Sequence, residues 1–306
     1  MSLDDLIGND KNKKMIKETI EKQKILHSYL FYGIEGIGKK MFALEFAKMI
    51  LCQNKNNKPC DICKSCIEFN SKSNPDFIFI EPSELSIKID QIRQMQKKIL
   101  EKPVNGFKKV YVIDQADKMT KEAQNSLLKT LEEPQEFVVI ILISSDEDKI
   151  LPTVKSRCTK FFFKELDDQE IAKFIKEKFG DVHLDESMIK LSEGSINKSL
   201  KVVEKKSILD DLKVMIKNIE LIDEVEIINY STFFVDNKEN INLLLDYMYI
   251  LFFQKVKNCL NIKYVNSMQI IQYAKVKLLN SNNFEMTIDN MLIKIWGEIH
   301  EKNYRS

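Results

Sequence analysis

The sequence lacks a charge imbalance: 47 basic side chains stand against 46 acidic ones, a formal net charge of +1. That excludes a global attraction to nucleic acid, so any DNA contact must come from a local arrangement of charge. No basic stripe with interleaved aromatics is present either, and the lysine-rich pieces "NDKNKKMIK", "QKKILEK" and "VEKKS" read as solvated helix faces. Histidine is scarce. His27, His183 and His300 lie far apart, and none accompanies a serine or cysteine in a hydrolase-like pattern; His27 reads as a packing or hydrogen-bonding residue. The opening "MSLDDLIGND" has no apolar secretory core, which predicts no signal peptide and a cytoplasmic location. The longest apolar run, Leu243 to Phe253, carries Asp246 and falls short of the ~20 residues that span a bilayer. It reads as a buried helix or one at a subunit contact. There is no internal repeat and no long low-complexity linker.

What is present is an ordinary globular composition, 30% charged and 44% hydrophobic. At 306 residues the chain is too long for one small core, and three domains are expected. Up to about residue 165, short β-rich runs alternate with helical stretches, the pattern of an α/β domain with a parallel sheet. The expected strands are "SYLFY", "DFIFIE", "KKVYVID", "FVVIILISS" and "TKFFFKEL". Phe42, Phe46 and Met49 or Ile50 recur at helical spacing, as do Ile92, Met95 and Ile99 behind Asp90, read as an N-cap. Thr120 is read as the cap of the next helix and Pro134 as its stop. Asp167 and Glu170 form a capping-box pattern that opens a small helical unit over 166–206. Residues 207–306 read as helices only, with Asn-rich breaks near 236–242 and 280–283.

After the apolar "SYLFY" comes "GIEGIGKK". Gly33, Gly36, Gly38 and Lys39 make the pattern of a phosphate-binding loop, between a predicted strand and a predicted helix. Backbone N–H groups at a helix N-terminus cradle phosphates in such loops, and the lysine neutralises their charge. The next residue is normally a Ser or Thr whose hydroxyl ligates Mg²⁺; here it is Lys40, which cannot. The second half of such a site is an apolar strand ending in an acid, supplied by "KKVYVIDQAD" with Asp114. In hydrolysing proteins of this class a glutamate follows that acid, where this chain has Gln115. Two defects point to a chain that keeps the fold without hydrolysing nucleotide, and the residues leave open whether ATP still binds.

"CQNKNNKPCDICKSC" places Cys52, Cys60, Cys63 and Cys66 within fifteen residues, the last three in two CxxC steps. Four thiolates close a tetrahedral Zn²⁺ sphere with no open position, so a structural rather than catalytic zinc is expected over 52–66. Cys158 and Cys259 read as buried small apolar residues.

Taken together, "HSYLFYGIEGIGKK", the cysteine cluster and the long run "KPVNGFKKVYVIDQADKMTKEAQNSLLKTLEEPQEFVVIILISSDEDKILPTVKSRC" resemble the bacterial clamp-loader subunits of the AAA+ class. The resemblance covers residues 5 to about 205; beyond it the chain matches only in being helical. It implies a P-loop AAA+ domain with an inserted zinc module over 1–165, a small helical lid over 166–206, and an all-α collar-type domain over 207–306. An ATP-hydrolysing tau/gamma subunit would have an intact Ser/Thr after the loop lysine and an Asp-Glu pair on the second strand. This chain departs at both, and again at Asn197, which stands where the family has a sensing arginine, with Lys198 beside it. The pattern looks like the delta-prime type of DNA polymerase III. In that family the arginine of "SRC", here Arg157, reaches the γ-phosphate of ATP held by a neighbouring subunit, while Ser156 shapes the turn. The resemblance further implies tau/gamma-type ATPase and delta-type partners, and a sliding clamp and primed DNA met through the complex. Two rivals are a tau/gamma-type ATPase with an unusual metal site, and a zinc-containing DNA-binding module with a vestigial loop.

Overall fold

The computed structural model describes residues 2–54, 58–180, 182–280 and 283–300. Along these residues the elements are α1 (Asp10–Glu21), β1 (Ser28–Tyr32), α2 (Lys39–Leu51), α3 (Lys64–Asn70), β2 (Phe77–Ile80), α4 (Ile89–Ile99) and β3 (Lys109–Ile113). There follow α5 (Lys121–Glu132), β4 (Val138–Ser144), α6 (Pro152–Lys155), β5 (Thr159–Phe162), α7 (Asp168–Phe179), α8 (Glu186–Leu191) and α9 (Ile196–Glu204). The rest is helical: α10 (Lys206–Asn218), α11 (Glu224–Asp236), α12 (Ile241–Cys259), α13 (Ile262–Asn280) and α14 (Phe284–His300). The chain divides into two compact units, Met1–Glu170 with Gly194–Asn197, and Ile171–Glu193 with Lys198–Ser306.

In the first unit the five expected strands form one parallel sheet in the order β2-β3-β4-β1-β5. Strands β3 and β4 are buried along their whole length, which explains why they read as unbroken apolar runs rather than as alternating ones. Alternation survives in which helices each residue meets. Tyr29, Phe31, Val110, Val112, Val139 and Ile141 share a core with Ile16, Phe42 and Phe46 of α1 and α2. Leu30, Tyr111, Ile113, Ile140 and Leu142 face the other way, onto Ile92, Met95, Leu127 and Leu131 of α4 and α5. Edge strand β5 buries Phe161 and leaves Lys160 and Phe162 to solvent, a charge that discourages further pairing.

The capping signals mostly fall where read. Thr120 Oγ1 accepts from Ala123 N–H at 3.2 Å, and α5 stops just short of Pro134. Asp167 and Glu170 exchange reciprocal bonds, at 2.9 and 2.8 Å. Asp90 is not the N-cap of α4: the helix starts at Ile89 behind Lys88, whose backbone N–H donates to Gln91 Oε1 at 3.2 Å, leaving Asp90 in the first turn. The break near 280–283 reaches Ser281 and Asn282, outside the described residues.

In the second unit α8 packs on α12, with Ser187 Oγ donating to Gln254 at 2.9 Å. The run from Leu243 to Phe253 lies in α12 and buries Leu244, Leu245, Tyr247, Met248, Leu251 and Phe252, while Asp246 pairs with Lys275 of α13. Trp296 Nε1 donates to Ile222 O at 3.0 Å, tying α14 to the loop before α11. Cys259, expected to be buried, is exposed. It ends α12 just before Leu260, which turns the chain out through a left-handed conformation, φ 48°. No helix among the described residues is long and apolar enough to cross a membrane.

Gly33 fixes how β1 leads into α2. Its φ is +146°, and an added Cβ would lie 2.2 Å from the carbonyl oxygen of Phe163. Gly33→Ala is expected to destabilise the chain by ~3 kcal/mol or more, because neither backbone can yield cheaply. Gly106, with nothing within 4 Å of the corresponding position, should accept alanine within ~1 kcal/mol. Urea unfolding of the two variants checks the contrast.

Candidate functional site

The phosphate-type loop runs from the carboxyl end of β1 into α2, and all of its landmarks come together. Gly36 and Gly38 have φ of +81° and +92°, so the loop closes into a turn that only glycine adopts freely. Gly36 is covered: an added Cβ would meet Ser195 Oγ at 2.2 Å, and its carbonyl accepts from Asn197 N–H at 3.3 Å. Beside the loop lies a cleft of about 420 Å³ whose lining includes Gly36, Lys39, Lys40, Asp114, Gln115 and Asn197.

The two lysines do different things. Lys39, only 6% exposed, folds its ammonium back onto the loop and donates to the carbonyls of Gly33 and Ile34, both at 2.6 Å. Burial pushes its pKa down to about 8, against the pull of Asp117, Glu35 and Asp114. Lys40 reaches across instead. Its Nζ stands 3.0 Å from Asp114 Oδ2, 4.0 Å from Glu81 Oε2 and 4.4 Å above the Phe79 ring. The other Asp114 oxygen accepts from Gln115 N–H at 3.0 Å. A magnesium nucleotide does not fit this arrangement, because the carboxylate that would face the metal already holds an ammonium, which has three donors and no lone pair.

Arg157 lies elsewhere. It follows α6 and precedes β5, and its carbonyl accepts from the hydroxyl of Ser28, the first residue of β1. The phosphate-type loop leaves the last residue of the same strand. Five strand residues, ~16 Å, therefore separate the two along β1. The guanidinium is held on its own chain: Nη1 donates to Thr153 O at 2.9 Å and to Ser156 Oγ at 3.4 Å, while Nη2 pairs with Glu132 Oε1 at 2.6 Å. Cys158 is half-buried, and burial pushes its thiol up to about 11.

Cys52, at the end of α2, and Cys60, Cys63 and Cys66, around the start of α3, form the third centre. All six cysteines of the chain are free, and these four bring their Sγ atoms within 4.8 Å of one another. A tetrahedral Zn²⁺ with ~2.3 Å bonds needs S···S separations of ~3.8 Å, so modest rotamer adjustment fits the set to the ion. Cys63 N–H points at Cys60 Sγ and Cys66 N–H at Cys63 Sγ, both at 3.4 Å, the bonds a thiolate accepts. The Cys60 thiol is held down to about 6, first by the Ile62 backbone N–H; burial pushes Cys52 and Cys66 up.

With these positions established, comparison with known proteins is informative. A family model described as "DNA polymerase III, delta subunit" matches residues 8–167, from the residue pair before α1 to the residue before α7. The chain belongs to the DNA polymerase III delta-subunit family. It is 36% identical over 171 residues to DNA polymerase III subunit delta' of Bacillus subtilis, covering 56% of this chain and 52% of that protein. It is 38% identical over 137 residues to subunit delta' of Pseudomonas aeruginosa, covering 44% and 42%. Subunit gamma/tau of Mycoplasma pneumoniae matches at 31% over 221 residues, 69% of this chain and 32% of that one. These relatives support a bacterial clamp-loader subunit of AAA+ type, with the delta' matches at 36–38% identity. The chain spans about half the length of the delta' relatives it matches. A solved DNA polymerase III gamma-subunit-related protein from Thermotoga maritima shares the fold at a TM-score of 0.50 and 20% identity, over 94% of this chain and 99% of that one.

Three supporting residues were not singled out from the sequence. Glu132, which holds Arg157, sits inside the quoted "LLKTLEEP". Asp61 pairs with buried Lys48 and so ties the cysteine segment to α2. Buried Gln124 donates to Met119 O and Lys149 O, at 3.3 and 2.9 Å, and accepts from Leu151 N–H at 2.8 Å, fixing the approach to α6. An apolar-spacing search passes over all three.

Lys39 gives a pH test. Its ordinary pKa is 10.5 and its folded one about 8, so between those values the unfolded chain binds more protons and native stability rises with pH. The stability difference between wild type and Lys39→Met should therefore shift in favour of wild type from pH ~8 to pH ~10.5. A flat difference in urea titrations across that window would exclude a buried ammonium.

Proposed function

We propose that this chain is the non-hydrolysing delta-prime subunit of a DNA polymerase III clamp loader. In that assembly Arg157 acts on ATP bound by the adjacent tau/gamma-type ATPase subunit. The observation that carries the reading is the separation along β1: Arg157 sits at the amino end of the strand and the loop at its carboxyl end. The arginine is thus out of reach of its own loop and suited to a nucleotide held by another chain. Its guanidinium is partly exposed and planar, the form that matches a phosphoryl group bidentately. The chain's own cleft lacks the residues of hydrolysis. Gln115 replaces the glutamate that would activate water, and Lys40 occupies Asp114, so a tau/gamma-type ATPase reading meets an obstacle at each step.

Partners in this reading are the ATPase subunits and a delta-type subunit, with the sliding clamp and primed DNA engaged by the complex during replication. The loop, the sheet and the cysteine module form the AAA+ part, 1–165; a lid, 166–206, and a collar-type domain, 207–306, complete a three-part chain. Support for the collar is the apolar surface left on α13 and α14: Tyr273, Val276, Leu279 and Met286 are all exposed, more than a helix pair in water normally shows. The cysteine set holds one structural zinc, with Gly33, Gly36, Gly38, Lys39 and Asp114 a vestigial nucleotide site.

An arginine finger contributes ~10³–10⁵ in rate in well-studied NTPases. In a reconstituted complex, Arg157→Ala should remove the DNA- and clamp-stimulated ATP turnover of the interface it serves, without loss of assembly, and Arg157→Lys should not restore it. An unchanged rate in a fully assembled complex sinks the assignment. For the metal, elemental analysis of the purified chain should give one zinc per chain, and Cys60→Ser or Cys63→Ser should lower both zinc content and thermal stability.

A further inference from the structure

We propose that Lys40 is a tethered cation that takes the place of a divalent metal at Asp114, and that this one side chain keeps a magnesium nucleotide out of an otherwise formed loop. The loop itself is intact in outline. Gly33, Gly36 and Gly38 hold the left-handed or otherwise glycine-favoured conformations of a phosphate cradle, Lys39 is at the first position of α2, and the cleft of about 420 Å³ remains beside them. Only the metal position is filled. The Lys40 ammonium lies 3.0 Å from Asp114, with Glu81 at 4.0 Å and the face of Phe79 at 4.4 Å completing a pocket of negative potential around it.

Chemistry makes the exclusion mutual. Magnesium requires about six oxygen ligands at ~2.0–2.1 Å, whereas an ammonium donates hydrogens and offers no ligand. While Lys40 is on Asp114, the carboxylate is neutralised and the metal meets a positive charge. Replacing Lys40 with threonine removes that charge and supplies a hydroxyl next to the loop lysine, as phosphate loops of this class carry. Gln115 is untouched by the change, so the variant regains metal-dependent binding and not turnover. The inference concerns this chain's own loop, and its outcome leaves the Arg157 assay unaffected.

The test is thermal unfolding of the chain with excess ATP, with or without added Mg²⁺ and with no chelator, so that the cysteine set keeps its metal. Wild type should melt at the same temperature in both. Lys40→Thr should melt ~2 °C or more higher with Mg²⁺ and ATP, the effect of a ligand at roughly ten times its Kd on a protein of this size. Omitting Mg²⁺, or a second substitution Lys39→Ala, should abolish the rise, and phosphate release should stay at background. A folded Lys40→Thr, judged by circular dichroism, with no metal-dependent rise overturns the proposal. Should that variant not fold, wild type still decides: Mn²⁺ bound with ATP, detected by electron paramagnetic resonance and lost in Asp114→Asn, overturns it, and its absence supports it.

Discussion

A parallel sheet has two chemically different ends, and β1 is the strand that connects them here. At its carboxyl end the chain turns through the glycine loop into α2, where the helix N-terminus gathers unpaired N–H groups. At its amino end Ser28 anchors the carbonyl of Arg157. The strand is buried between β4 and β5, so neither end can shift without disturbing the register of both neighbours. That rigidity fixes the arrangement: the arginine is permanently out of reach of the loop in its own chain and permanently presented at the opposite rim.

Electrostatics decides what remains possible at the loop end. Unit charges ~4 Å apart interact by about 4 kcal/mol at an effective dielectric of ~20, and a dication opposes an ammonium about twice as strongly. Water screens part of this, since the Lys40 side chain is 47% exposed, although Asp114 is only 10% exposed. Lys39 is held apart from that pair, its ammonium donating to the loop's own carbonyls.

The central strands β3 and β4 were legible in the sequence because burial on both faces leaves unbroken apolar runs. The first helix showed only as a solvated, lysine-rich face, and its packing stayed hidden. Its buried side chains are Asn12, Ile16 and Ile20, two apolar residues among lysines, and Asn12 is held by a hydrogen bond that its side-chain amide donates to the Phe162 carbonyl at 2.8 Å. The cysteine spacing announced its cluster, since CxxC steps bring sulfurs together through local turns alone. The partners of the charged residues stayed hidden, because Lys40 with Asp114 and Arg157 with Glu132 meet only once the sheet order is known. The misfit of a lysine after the loop lysine was visible; the carboxylate it would find was not.

The glycines of the loop illustrate how far a motif can be trusted. Gly33 is required by the Phe163 carbonyl against which it packs, and Gly36 by Ser195 and Asn197. Both demands come from the fold and persist whether or not a nucleotide is bound. The residues that would touch a ligand's metal or attacking water, Lys40 and Gln115, face the open cleft and carry no comparable packing duty. A glycine pattern of this kind therefore reports that β1 turns tightly into α2, and nothing more. Evidence for nucleotide chemistry must come from the side chains that line the cleft, and here two of them, Lys40 and Asp114, form an ion pair with each other.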